Sequence, residues 1–146
     1  MRGVIAHVAF AASLAGMAQV DDEAAMARMS ELRAAGKPDS LELFASAVLR
    51  EHADRQTMLH YEAESHLAFA RSMKDDPIGA VRHGQQAWLV ARDLKDTSRM
   101  LASLYQLTKF NVEGRHFHEA DRFRREHLAL ARTYGSDTLQ LALAFN

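Results

Sequence analysis

Cysteine is absent from all 146 residues. Disulfides, thiolate nucleophiles and cysteine-ligated zinc or iron–sulfur centres are excluded with it. Proline occurs only twice, at Pro38 and Pro77, and no Pro-, Gly- or Ser-rich stretch separates one part of the chain from another. A single domain of residues 1–146 is therefore expected, and its length is enough to bury a core. Charge of either sign is nearly balanced. The formal net charge is −1; residues 1–73 carry 7 basic and 10 acidic side chains, and residues 74–146 carry 11 and 9. That asymmetry is too small to make nucleic acid or an anionic membrane the main partner. A glycine-rich phosphate loop is missing, and so is any G-x-S-x-G elbow that would expose a nucleophilic serine. The longest mainly apolar stretch, Val4 to Ala18, is short for a transmembrane helix, which takes roughly 20 residues.

What the chain does have is helical periodicity along nearly its whole length, with no alternating strand pattern. The fold class expected is all-α. Eight helices are predicted, over 3–18, 21–35, 40–53, 56–73, 77–94, 98–112, 116–133 and 137–146. Gly36 suits a left-handed C′ position, with Pro38 just beyond. Asp39 is placed to cap the third helix, with Glu42 completing a capping box. Asp76-Pro77 reads as a cap followed by proline at the first helical position. Asp96, Thr97 or Ser98 starts the sixth helix, and Gly114 ends it. Short connections make neighbouring helices antiparallel hairpins.

Leu67-Ala68, Leu101-Ala102 and Leu141-Ala142 recur at spacings of 34 and 40 residues. Tyr105 and Phe145 follow the last two dyads at one offset, and Ala80 and Ala120 follow the first two. Repeats of this length indicate stacked helical hairpins. On these residues, residues 59–146 resemble the tetratricopeptide repeat family, with Ala87 as a further small position. The long unit around Phe110 to His118 and the Ala131-Arg132 exit resemble the helical sensor regions of bacterial transcription regulators. Glu64, Ser98 and Thr138 stand where the family has a tryptophan-like residue, and Gly84 where it has an aromatic one. The phase of residues 1–58 does not follow the later units. The resemblance implies a short α-solenoid in which small residues such as Ala102 lie in the hairpin seam. It also implies a concave groove for a peptide or a partner helix, lined by Ser65, Phe69 and Ser72 of one first helix and Arg99, Ser103 and Gln106 of the next.

Eight histidines raise the possibility of a metal. His116 and His118 point about 200° apart on a helix and cannot share an ion. His60 with Glu64, and Glu62 with His66, share faces without giving the three ligands a catalytic zinc takes. Asp21-Asp22 and Asp75-Asp76 sit where helix starts need caps, and Arg122, Arg124 and Arg125 spread around a helix as solvated ion-pair partners. The expectation is a non-enzymatic protein–protein interaction module without catalytic residues, metal or cofactor. The alternatives are a sensor or regulatory fragment of a bacterial regulator, and a helical-bundle metal protein or enzyme. The apolar C-terminal pattern, through Leu139, Leu143 and Phe145, predicts a homodimer interface, because a helix apolar all round should be covered. A cytoplasmic location is expected with residues 1–18 as a retained helix; the alternative is export with 1–18 as a signal peptide.

Overall fold

In the computed structural model, residues 22–52 and 57–134 are described, and over these the chain is all-α. Six helices follow one another: α1 from 22 to 34, α2 Pro38–Glu51, α3 Met58–Met73, α4 Pro77–Asp93, α5 Thr97–Glu113 and α6 Phe117–Tyr134. They match the six central predicted helices to within two residues. The first and last predicted helices, 3–18 and 137–146, lie outside the described residues. So does the proposed dimer interface of Leu139, Leu143 and Phe145.

Four connections, α1–α2, α3–α4, α4–α5 and α5–α6, share one geometry. Gly36, Asp75, Lys95 and Arg115 adopt φ of 62, 55, 57 and 60°. At each, two backbone N–H groups bond back to the last turn of the preceding helix. Asp75 and Asp76 reach the carbonyls of Ser72 and Arg71, and Arg115 and His116 reach those of Val112 and Asn111. This is the Schellman arrangement, which favours glycine at the left-handed residue. Glycine occupies only the first turn. A left-handed backbone costs an L-residue about 1 kcal/mol or more, so Lys95→Gly and Arg115→Gly are each expected to raise stability by about 0.5–1 kcal/mol. Gly36→Ala is expected to lower it by a similar amount, and urea midpoints check all three.

Side chains cap α3, α4 and α5, whereas α2 starts without one. Asp76 accepts from the Gly79 N–H at 2.9 Å and Asp96 from the Arg99 N–H at 3.0 Å, while Thr57 caps α3. At α2, Pro38 rather than Asp39 begins the helix. Lys37 holds the cap position without a side-chain bond, and Asp39 lies inside the first turn. Proline's fixed φ starts the helix one residue earlier than the acidic signal does.

The three later turns lie 20 residues apart, at Asp75, Lys95 and Arg115, so a hairpin occupies 40 residues. Residues 40 apart are equivalent in burial: Leu67 and Leu107 are 2% and 0% exposed, and Ala80/Ala120 and Ala91/Ala131 are all buried. The 34-residue pairing of Leu67-Ala68 with Leu101-Ala102 is thereby corrected. Leu101 is buried, but Ala102 is exposed and Tyr105 is 36% exposed. The two registers differ by six residues, which rotates a position about 240° around a helix and turns Ala102 away from the seam. The upstream junction falls into the same rhythm, since Pro38 precedes Pro77 by 39 residues.

From α2 onward each helix packs on the next in sequence. Met29 and Leu32 of α1 join Leu41, Ala45 and Val48 of α2 and Leu59, Ala63 and Leu67 of α3 in one cluster. Ala68, Ala80 and Phe110 tie α3, α4 and α5 together. Leu104, Leu107 and Phe123 continue the core into α6, with Trp88 and Val81 against them. Gly84 faces Leu107, where an added Cβ would come within 3.0 Å of the leucine. The close approach of α4 to α5 accounts for the glycine standing at a position expected to be aromatic. Among the described residues no helix is long and apolar enough to cross a membrane.

Candidate partner-binding face

The odd-numbered helices α1, α3 and α5 touch through residues far apart in sequence. The Ser65 hydroxyl donates to the Gln106 amide oxygen at 3.4 Å, and the Ser72 hydroxyl donates to the Glu113 carboxylate at 2.8 Å. The Tyr61 phenol donates to the Arg99 carbonyl at 3.5 Å. The Arg33 guanidinium of α1 lies over the Phe69 ring, 4.0 Å from its centroid. Contacts to α5 along one side and to α1 through Phe69 set α3 between α1 and α5.

The six predicted groove residues thus come to one region, but their roles divide. Ser65 and Ser103 are 5% and 0% exposed. They are enclosed between α3 and α5 and are corrected from groove-lining residues to seam residues. Ser103 faces the Tyr61 phenol, whose pKa burial pushes up. Phe69, Ser72, Arg99 and Gln106 keep part of their surface in solvent.

Arg99 is the most heavily paired cation on the face. It donates to Asp96 at 2.8 Å and to Glu62 at 3.4 Å, and it lies 5.4 Å from the Tyr61 ring centroid. The Arg99 backbone N–H, followed by its guanidinium, lowers the Asp96 pKa. Burial opposes the charge on Arg99, but the Asp96 bond and the neighbouring carboxylates outweigh it and raise its pKa. Arg99→Glu would bring a third carboxylate against Asp96 and Glu62. Charge reversal here is therefore a stability change as well as a binding change, and Arg99→Gln is the cleaner probe.

His66 lies beside this cluster, 4% exposed. Its Nε2 is 3.9 Å from Glu62 and its Nδ1 has no hydrogen-bond partner. Burial, helped by the Arg33 charge, lowers its pKa from 6.5 to about 4. The imidazole is neutral at pH 7. The sequence shows the Glu62–His66 pair by its helical spacing; it does not show that Arg33, Glu62 and Tyr61 belong to this face. Arg33 reaches it from a helix whose repeat phase could not be aligned.

His60 and His83 serve the α3–α4 hairpin. His83 of α4 places Nδ1 2.7 Å from the Glu64 carboxylate of α3, with His60 3.8 Å from the other oxygen. Glu64 is 7% exposed, and a buried carboxylate is tolerated only when paired. Among the described residues no three His, Asp or Glu side chains converge to hold a metal ion. Arg122, Arg124 and Arg125 pair with Glu119, Glu126 and Asp121 on the surface of α6. A comparison of the chain with protein-family models, with curated proteins and with solved structures returned no match.

Proposed function

We propose that this chain is a non-enzymatic protein–protein interaction module, a short α-solenoid of tetratricopeptide type built from 40-residue hairpins. In this reading α1, α3 and α5 are the first helices of successive hairpins and present one shared face to a peptide or a partner helix. The observation that carries it is the side-by-side bonding of these helices across 36 to 41 residues, through Arg33–Phe69, Ser65–Gln106 and Ser72–Glu113. Stacked hairpins leave their first helices as a continuous surface, and such surfaces recognise extended or helical segments. The half-buried Phe69, Arg99 and Gln106 supply the mixture of aromatic, cationic and amide groups that interface centres favour.

A photo-crosslinking amino acid at Gln106, compared with one at Arg125 on the far side of α6, tests the proposal in the cells the protein comes from. A discrete protein adduct from position 106 and none from position 125 is expected. Adducts of equal yield from both positions, or none from 106, would sink the reading.

A further inference from the structure

Three arginines among the described residues are half-buried: Arg33, Arg71 and Arg99. Two of them are doubly paired. Arg71 reaches Glu42 at 2.6 Å and Asp76 at 3.3 Å, and Arg99 reaches Asp96 and Glu62. Arg33 has no carboxylate partner among the described residues. It rests on the Phe69 ring, and the titratable group it faces on α3 is His66, neutral and without a partner for Nδ1. A guanidinium that has lost part of its water and gained no counter-charge is unfavourable for the free protein. Among the described residues that requirement is met at Arg71 and Arg99 and left open at Arg33.

We propose that Arg33 and Phe69 form the anchor for an acidic peptide segment, whose side-chain carboxylate pairs with the Arg33 guanidinium while a neighbouring apolar residue packs on Phe69. The inference rests on the interaction-module reading and gives its partner a chemistry. Stacking on a ring fixes the orientation of the planar guanidinium, and its fork then matches a carboxylate through two parallel hydrogen bonds. Phe69 shares a stripe of α3 with Ser65 and Ser72, which bond to α5, so Arg33 and Phe69 lie on the face that Gln106 and Arg99 extend. A chain crossing that face meets all four residues. A free anion would use Arg33 alone, so a peptide accounts for more of the surface. Charge complementarity favours an acidic partner, because the carboxylates near this face are already engaged, Glu62 and Asp96 by Arg99 and Glu113 by Ser72 and Lys109.

A random twelve-residue peptide display library selected on the wild-type chain tests this. Enriched sequences should share an Asp or Glu beside an apolar residue. A synthetic peptide of the enriched sequence should bind Arg33→Met at least about tenfold more weakly, and its Glu→Gln form should lose a similar factor on wild type. The two changes together should cost no more than either alone, since they remove one pair. Arg33→Met should stay folded with a melting temperature near that of wild type, because the uncompensated charge it removes and the ring stack it loses oppose each other. Enriched peptides without a common acidic position, or equal affinity for Arg33→Met, would overturn the anchor and leave the module standing. Displacement of the peptide by inorganic phosphate at submillimolar concentration would assign Arg33 to a free anion instead. No enrichment of any peptide would sink the module reading itself.

Discussion

Phe110→Ala is expected to lower the stability of the fold by about 3–5 kcal/mol, the usual cost of emptying a fully enclosed aromatic site. Phe110 is 2% exposed and packs with Ala68 of α3 and Ala80 of α4, with Val81 beside them. One side chain from α5 therefore closes the space between the two helices of the preceding hairpin. The alanines at 68 and 80 have no volume to spare for filling a cavity, so relaxation can recover little of the loss. Ala102→Trp, on the same helix, is expected to change stability by less than about 0.5 kcal/mol, as an exposed position allows. The pair separates two registers. In a 34-residue repeat Ala102 is the seam position, and a tryptophan there would cost on the order of 1–3 kcal/mol or more. Urea denaturation of both variants measures the difference directly. A severe loss in Ala102→Trp with a mild one in Phe110→Ala would reverse the assignment of inside and outside on α5.

The residues involved show why the helices were legible and their register was not. Gly36, Asp76-Pro77 and Asp96 state their positions locally, through the chemistry of turns and caps, and the helix bounds follow from them. A register is a relation between distant segments. Leu67-Ala68 and Leu101-Ala102 look alike as dipeptides, yet only the turn spacing tells which leucine is equivalent to Leu67. That leucine is Leu107. The turn signal was weakened because Lys95 and Arg115 stand where glycine would have marked the left-handed residue. The same limit applies to the candidate face. Ser65, Phe69, Ser72, Arg99, Ser103 and Gln106 do come to one region, because helical spacing and a hairpin topology suffice for that. Which of them are enclosed depended on contact across α3 and α5, and neither the burial of Ser65 and Ser103 nor the arrival of Arg33 could be seen in a pattern confined to one helix. His66 is a similar case. Its four-residue spacing from Glu62 suggests an ion pair, whereas enclosure makes it a neutral group.

That enclosure makes the protein acid-sensitive in a window set by histidine. The folded-state pKa of His66 is about 4 against 6.5 when unfolded, chiefly through burial and further through Arg33. Burial lowers the pKa of His127 as well. Between these values the unfolded chain takes up a proton that the folded chain refuses, so stability rises with pH and falls as pH drops. The contribution of His66 is fully present above about pH 7, where both states are neutral. It declines as pH falls through 6.5, by about 1 kcal/mol at pH 5.5 and by about 2–3 kcal/mol at pH 4.5, and levels off below pH 4. Asp96 acts in a lower range, because its own pKa is depressed and its stabilising bond to Arg99 is lost only as the carboxylate protonates. Urea midpoints at pH 7.5, 5.5 and 4.5 measure the decline. His66→Gln removes the titrating group while keeping a polar side chain of similar size. It should start less stable at pH 7.5 and lose markedly less on acidification, and His127→Gln should flatten the profile by a smaller amount. A His66→Gln profile parallel to that of wild type over this range would show that His66 titrates alike in the folded and unfolded chain, so that enclosure does not hold it neutral.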